Sequence, residues 1–193
     1  MDKHKPVGAS YTVQRRVAGY HDVRMDGISD LILRARDMRV FDIGCNRGLV
    51  GLEFAQNGAK AVHGCDIFAE GINTAREVFA DLRYVESRFE VVDLTGGPKS
   101  LEMFTERYDI TLCLATYHKL KRVMKPADLT SLMQHFGRWT KLYFGWRGTS
   151  DKPDENDEEI ANLDRDLKPV GLVRIHTSYI SKELGVAAIW SRI

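Results

Sequence analysis

The chain has 193 residues, 44% hydrophobic and 28% charged, the balance of an ordinary globular domain rather than a disordered chain, a collagen-like repeat or a solenoid. Roughly 70% of the unfolded surface of a chain this long is buried around one core, and a second catalytic domain has no room. With 28 Lys and Arg against 27 Asp and Glu the formal charge is +1, which excludes a polyanion binder acting through its bulk field, so any basic surface has to be local.

From Met1 to Tyr20 charge is spread throughout and no run reaches seven apolar residues. Neither a signal peptide nor a membrane span is expected, and a cytoplasmic location follows. Residues 1–27 are read as an N-terminal segment and 28–193 as the domain. The domain opens on a helical stripe, Ile28, Leu31, Ile32 and Ala35. A strand is predicted over Arg39–Ile43, then a glycine turn and a helix from near Leu49. Strand Lys60–Cys65 precedes the stripe Ile72, Ala75, Phe79 and Leu82; strands Arg88–Val92 and Tyr108–Leu114 follow. Next come the stripe Leu129, Leu132, Met133 and Phe136, strand Trp139–Gly145, and the stripe Ile160, Leu163 and Leu167. Strands Leu172–Thr177 and Val186–Trp190 finish the chain. Alternating strands and amphipathic helices predict an α/β sheet with helices on both faces. Only about eight residues, Ser178 to Gly185, join the last two strands, too few for a parallel crossover, so these two are predicted antiparallel.

Cys45, Cys65 and Cys113 each sit in an apolar run without metal-pair spacing and read as buried, reduced thiols. Between Asp151 and Asp166 eight acids face two bases. This stretch is expected to be a solvated helix face, its acids suited to a helix N-terminus.

The most specific feature is the run Val40-Phe41-Asp42-Ile43-Gly44-Cys45-Asn46-Arg47-Gly48, a strand that ends in a glycine turn and enters a helix. Such a turn lets backbone approach a small ligand closely. In a nicotinamide fingerprint the second and third glycines would fall at Asn46 and Leu49, and both positions fail. A phosphate loop ending in Gly-Lys-Ser/Thr is absent from the sequence as well. Asp66 ends the second strand, 24 residues after Asp42, where a carboxylate can accept both hydroxyls of a ribose. It can equally cap the helix that starts near Ala69. Asp93 ends the third strand in the same way and can also cap the turn Thr95-Gly96-Gly97-Pro98.

With Asp42, Gly44 and Gly48 at these positions, the sequence resembles class I S-adenosylmethionine-dependent methyltransferases, Asn46 standing where many members have a further glycine. The resemblance extends over roughly Ile28 to Ile193. It implies a Rossmann-like sheet of seven strands, mostly parallel, with a C-terminal antiparallel hairpin. It implies S-adenosylmethionine as cofactor and S-adenosylhomocysteine as product. Asp66 would then hold the ribose and Ile67 would lie on the adenine. Asp93 would accept from the adenine amino group, the Leu94 N–H would face a ring nitrogen, and Leu114 would line the site near the methyl. Asp42 would hold the methionine amino group or brace the turn.

On the acceptor side the fourth strand runs into Leu114-Ala115-Thr116-Tyr117-His118-Lys119-Leu120. The Asn/Asp-Pro-Pro-aromatic motif of DNA and protein-glutamine amino-methylating enzymes is absent there, as is the acid of a metal-dependent catechol-type site. His118 is the candidate base or acceptor-orienting group, with Tyr117 beside it. Lys119, Lys121, Arg122 and Lys125 follow within seven residues, either a solvated face or an electropositive mouth for an anionic acceptor. Aromatic residues are not interleaved among them, so nucleic acid is not favoured as a partner. Arg147 is a candidate anion clamp, or else a partner for the acidic stretch beyond it. Tyr20 and Arg16 are candidate substrate contacts in an N-terminal lid. The run Tyr117-His118-Lys119-Leu120 is similar to that of small saccharide-modifying methyltransferases. Taken together, these residues predict metal-independent O-methylation of a small-molecule or glycan acceptor. A catalytically silent cofactor-binding subunit, a nucleic-acid methyltransferase and a nicotinamide enzyme remain the alternatives.

Overall fold

A computed structural model describes residues 25–148, 153–181 and 185–193. In chain order the elements are α1 (Ser29–Leu33), β1 (Arg39–Ile43), α2 (Leu49–Gln56), β2 (Ala61–Asp66), α3 (Ala69–Ala80) and β3 (Glu86–Val91). A 3-10 segment (Leu94–Leu101), β4 (Tyr108–Leu114), α4 (Tyr117–Val123), α5 (Pro126–Trp139) and β5 (Thr140–Arg147) follow. The chain closes with α6 (Pro153–Leu167), a short 3-10 turn (Lys168–Val170), β6 (Leu172–Ser181) and β7 (Gly185–Arg192).

The seven strands form one sheet in the order β3-β2-β1-β4-β5-β7-β6. Strands β1 to β5 pair in parallel, while β7 pairs antiparallel with both β5 and β6. The predicted fold class and terminal hairpin are both present. The hairpin strands run further than expected, so only residues 182–184 separate them, a length that enforces antiparallel pairing.

Central burial explains why β1 reads as an apolar run: Val40, Phe41 and Ile43 are all inaccessible to solvent. Phe41 and Ile43 face a core that includes Leu120 of α4, Leu132 and Phe136 of α5, and Ile160 and Leu163 of α6. Val40 faces the opposite core, with Leu31 of α1, Leu52 of α2, and Ile72 and Phe79 of α3. Pro126 at the first position of α5 has no N–H to leave unsatisfied, and Asp128 in the first turn complements the helix dipole.

The acidic α6 is solvated as expected at Asp154, Asp157 and Glu158, but not along its whole length. Asn156, Glu159 and Asp166 share the inward stripe with Ile160, Leu163 and Leu167, and all are buried. Helical spacing forces this, because the polar residues fall three or four positions from the apolar ones. The Asp166 carboxylate accepts from Thr130 Oγ1 at 3.1 Å and Arg165 Nε at 2.9 Å. Burial pushes the Glu159 carboxyl up to about 7.

Trp190 ties β7 to this helix. It is fully buried, and its Nε1–H donates to Asp164 Oδ1 at 2.8 Å. Trp190→Phe removes that charge-assisted bond and opens a small void, which should lower unfolding stability by about 1–2 kcal/mol in denaturant titrations. No change at all would place the bond's strength in solvent exchange.

The carboxyl ends of the parallel strands, Ile43, Asp66, Val91 and Leu114, gather at one end of the sheet. There the chain order reverses, since β1 lies between β2 and β4, and ligands of open α/β sheets bind at such a switch point.

Candidate functional site

The turn after β1 is folded over the end of β2. The N–H groups of Gly44 and Cys45 both donate to Cys65 O, at 2.8 and 3.0 Å, and Gly48 N–H donates back to Cys45 O at 2.9 Å. Gly44 has φ +74°, and a Cβ there would fall 2.1 Å from Thr116 Oγ1. Asn46 is left-handed as well, with φ +51°. Asparagine tolerates that region better than most residues, which explains how it stands where a glycine would be expected.

Asp66 fixes the turn from below. Its Oδ2 accepts from Asn46 N–H at 2.8 Å and its Oδ1 from Phe68 N–H at 2.9 Å. Each carboxylate oxygen has a second lone pair, so two acceptor positions remain. The side chain makes no capping bond to α3, whose N-cap is Phe68. Asp93 Oδ1 accepts from both Thr95 N–H, at 2.9 Å, and Thr95 Oγ1, at 2.7 Å. These bonds hold the exposed carboxyl below its usual range, and Oδ2 is left for a further donor.

A cavity of about 530 Å³ opens between these groups. Gly44, Asn46, Asp66, Ile67, Asp93, Leu94, Leu114 and Lys119 all line it, so eight of the sequence-predicted residues converge there. Its rim is apolar and wet: Ile67 is 66% exposed and Phe68 37%. Arg47 lies over the Phe68 ring at 5.9 Å.

Other predicted residues lie elsewhere. Gly48 caps α2 and lets it approach α3, a Cβ being 3.0 Å from that of Ala75. Asp42 is not a lining residue; it is buried beneath the turn, where burial and the Asp66 charge push its carboxyl up to about 7 against the opposing charge of Arg147. Arg147, expected to clamp an anion, is buried at the end of β5 and its charge acts on Asp42. Tyr117, expected beside His118 as a catalytic partner, is turned into the core with Cys113 and Leu120, because consecutive helical residues diverge by about 100°. His118 is half-buried on α4, whose cavity-lining residues are Lys119, Leu120 and Val123. Lys121 is paired with Glu158 at 2.7 Å. Tyr20 and Arg16, and with them most of the expected lid, lie outside the described residues.

Sequence reasoning missed Phe68, Ala115 and Thr116. Apolar Phe68 beside Ile67 carried a weak signal; Ala115, left-handed at φ +54°, carried none. His63, Glu86 and Glu106 bring possible metal-ligand atoms within 4.8 Å of one another at the opposite end of the sheet. The Arg39 guanidinium already pairs with both carboxylates and supplies the positive charge there. Among the described residues no helix is long and apolar enough to cross a membrane.

A family described as a methyltransferase domain matches residues 40–141. No curated protein matches the sequence. Among solved structures, the chain is similar to magnesium protoporphyrin IX methyltransferase from Synechocystis PCC 6803 with bound S-adenosylhomocysteine, at 17% identity and TM-score 0.64 over 95% of this chain and 94% of that one. An S-adenosylmethionine-dependent methyltransferase from Clostridium acetobutylicum ATCC 824 aligns at 11% identity and TM-score 0.67, covering 95% and 97%. The N-methyltransferase NodS from Bradyrhizobium japonicum WM9 aligns at 11% identity and TM-score 0.63, again over 95% and 97%.

Proposed function

The chain belongs to the methyltransferase domain family, and from that premise we propose that it uses S-adenosylmethionine to methylate an oxygen of a small-molecule or saccharide acceptor, without a metal. The observation that carries the cofactor reading is the single 530 Å³ cavity that joins the glycine turn to the Asp66 and Asp93 carboxylates. That volume suits a nucleoside-sized ligand. The two acceptor positions left on Asp66 fit a ribose diol, and the remaining Asp93 oxygen fits an adenine amino group. Ile67 and Phe68 offer the ring an apolar surface, and Leu94 lines the same cavity. Gly44, Asn46 and Leu114 are left for the amino-acid half. When bound, S-adenosylmethionine supplies an electrophilic methyl on a sulfonium.

The acceptor assignment rests on what surrounds the end of β4. Leu114, Ala115 and Thr116 place no carboxylate there for a divalent ion, and Lys119 brings a positive charge to the cavity. A phosphorylated saccharide fits that charge. Burial, together with Lys119 and Arg122, holds the His118 imidazole below its usual range against the opposing Glu155. It is therefore neutral near pH 7, able to take the proton of an acceptor hydroxyl as the oxygen is alkylated. An acceptor that is already an anion needs no such base. The free, buried thiols of Cys45, Cys65 and Cys113, all raised by burial, accord with a reducing cytosol.

Calorimetric titration with S-adenosylmethionine and S-adenosylhomocysteine, with NADH as control, tests the cofactor. Micromolar binding of the sulfur ligands alone is the expected result. Transfer of labelled methyl to sugar phosphates and glycans then tests the acceptor. Binding without transfer to any acceptor would favour a silent cofactor-binding subunit, and turnover unaltered in His118→Ala would remove that residue from the acceptor side.

A further inference from the structure

Thr116 occupies the N-cap of α4, the position where a threonine ordinarily accepts from the first free N–H groups of the helix. It makes no such bond. Its hydroxyl instead points back to the sheet, sharing its proton between Ile43 O at 3.2 Å and Leu114 O at 3.1 Å. Those carbonyls end two neighbouring parallel strands, β1 and β4. The side chain is 8% exposed yet lines the cavity, and Gly44 comes so close to it that any Cβ there would overlap Oγ1. Next to it, Ala115 is left-handed at φ +54°, a conformation unfavourable to a residue with a Cβ. Helix stability does not account for these features, because the cap is forgone.

We propose that Thr116 is a positioning residue that clamps the Leu114–Ala115 corner to the glycine turn and so shapes the end of the cavity that receives the amino-acid half of the cofactor. This rests on the methyltransferase reading of the site. The hydroxyl fixes the corner in a backbone conformation that alanine does not favour, and Oγ1 is the Thr116 atom that lies closest against Gly44. The nucleoside end, at Asp66, Ile67 and Asp93, is built from the ends of β2 and β3, and its Asp66 carboxylate meets the turn at the Asn46 N–H, at a point away from Gly44.

The test compares S-adenosylhomocysteine with adenosine, which lacks the amino-acid half. Thr116→Val keeps the shape and removes the hydroxyl; Thr116→Ser keeps the hydroxyl. Calorimetry should show S-adenosylhomocysteine affinity at least tenfold weaker in Thr116→Val and within threefold of the original in Thr116→Ser, with adenosine affinity within twofold in both. Equal loss for both ligands would overturn the proposal, as would full S-adenosylhomocysteine binding by Thr116→Val. If Thr116→Val does not fold, the Ser variant decides, since a tenfold loss there excludes a hydroxyl clamp. Absence of S-adenosylhomocysteine binding by the unaltered protein would instead sink the cofactor reading itself.

Discussion

Asp66→Ala is expected to abolish measurable cofactor binding while leaving the protein folded. The carboxylate serves two purposes: it accepts the N–H groups of Asn46 and Phe68, and its other lone pairs face the cavity. A hydrogen bond to a charged group contributes about 1.5–3 kcal/mol, so losing two from a ribose weakens binding by about 3–6 kcal/mol, roughly a hundredfold or more. Loss of the backbone contacts adds to this by releasing the glycine turn. Stability should fall by only about 1 kcal/mol, because both N–H groups lie where water can replace the carboxylate. Asp66→Asn retains one acceptor oxygen and should lose less. Calorimetry with S-adenosylhomocysteine and a parallel denaturant titration measure both quantities. Affinity within fivefold of the original in Asp66→Ala would mean that the nucleoside is held elsewhere.

Asp42→Asn should make the protein more stable, and increasingly so as pH rises. In the fold, burial and the nearby Asp66 charge carry the Asp42 carboxyl from 3.8 to about 7. A carboxyl raised in this way stabilises the fold fully below its unfolded value, and that stability disappears as pH rises through the folded one. Over the interval from pH 4 to pH 7 the loss amounts to at most about 4 kcal/mol. Asparagine does not ionise and escapes it, and the value of about 7 already includes the opposing pull of Arg147. The gain at pH 8 should therefore approach that bound, about 3–4 kcal/mol, shrinking towards zero at pH 4. Urea titrations of both proteins at pH 4.5 and pH 8 would show the gap opening. A gap independent of pH would mean that Asp42 stays ionised throughout, its burial fully offset by Arg147.

Much of this arrangement is legible in the sequence because it depends on local patterns. Val40 to Ile43 reads as a central strand since both of its faces are covered, and the stripes of α3, α5 and α6 give their helices directly. Asp66 and Asp93 stand out because acids at strand ends are conspicuous after apolar runs. What the sequence conceals is what depends on distant approach. Nothing in the sequence marks Thr116; only the approach of Ile43, 73 residues earlier in the chain, gives its hydroxyl a partner across the sheet. Tyr117 and His118 look like a pair along the chain and diverge on the helix. Arg147 looks like a free cation until the sheet places it on the Asp42 side. β3 begins at Glu86, two residues before the predicted Arg88, because Glu86 and Ser87 are exposed and polar at a sheet edge and carry no strand signal.

The position of β7 has a consequence for biosynthesis. It is made after β6, yet it sits between β5 and β6, and among the described residues β6 pairs with no other strand. While the chain is still on the ribosome, β1 to β5 can assemble into a parallel half whose β5 edge is open, with β6 waiting unpaired. That edge closes only after residues 185–192 have cleared the exit tunnel, so the half-built sheet is the species most exposed to aggregation and chaperone capture. A stop between Arg147 and Gly185 would leave it there permanently.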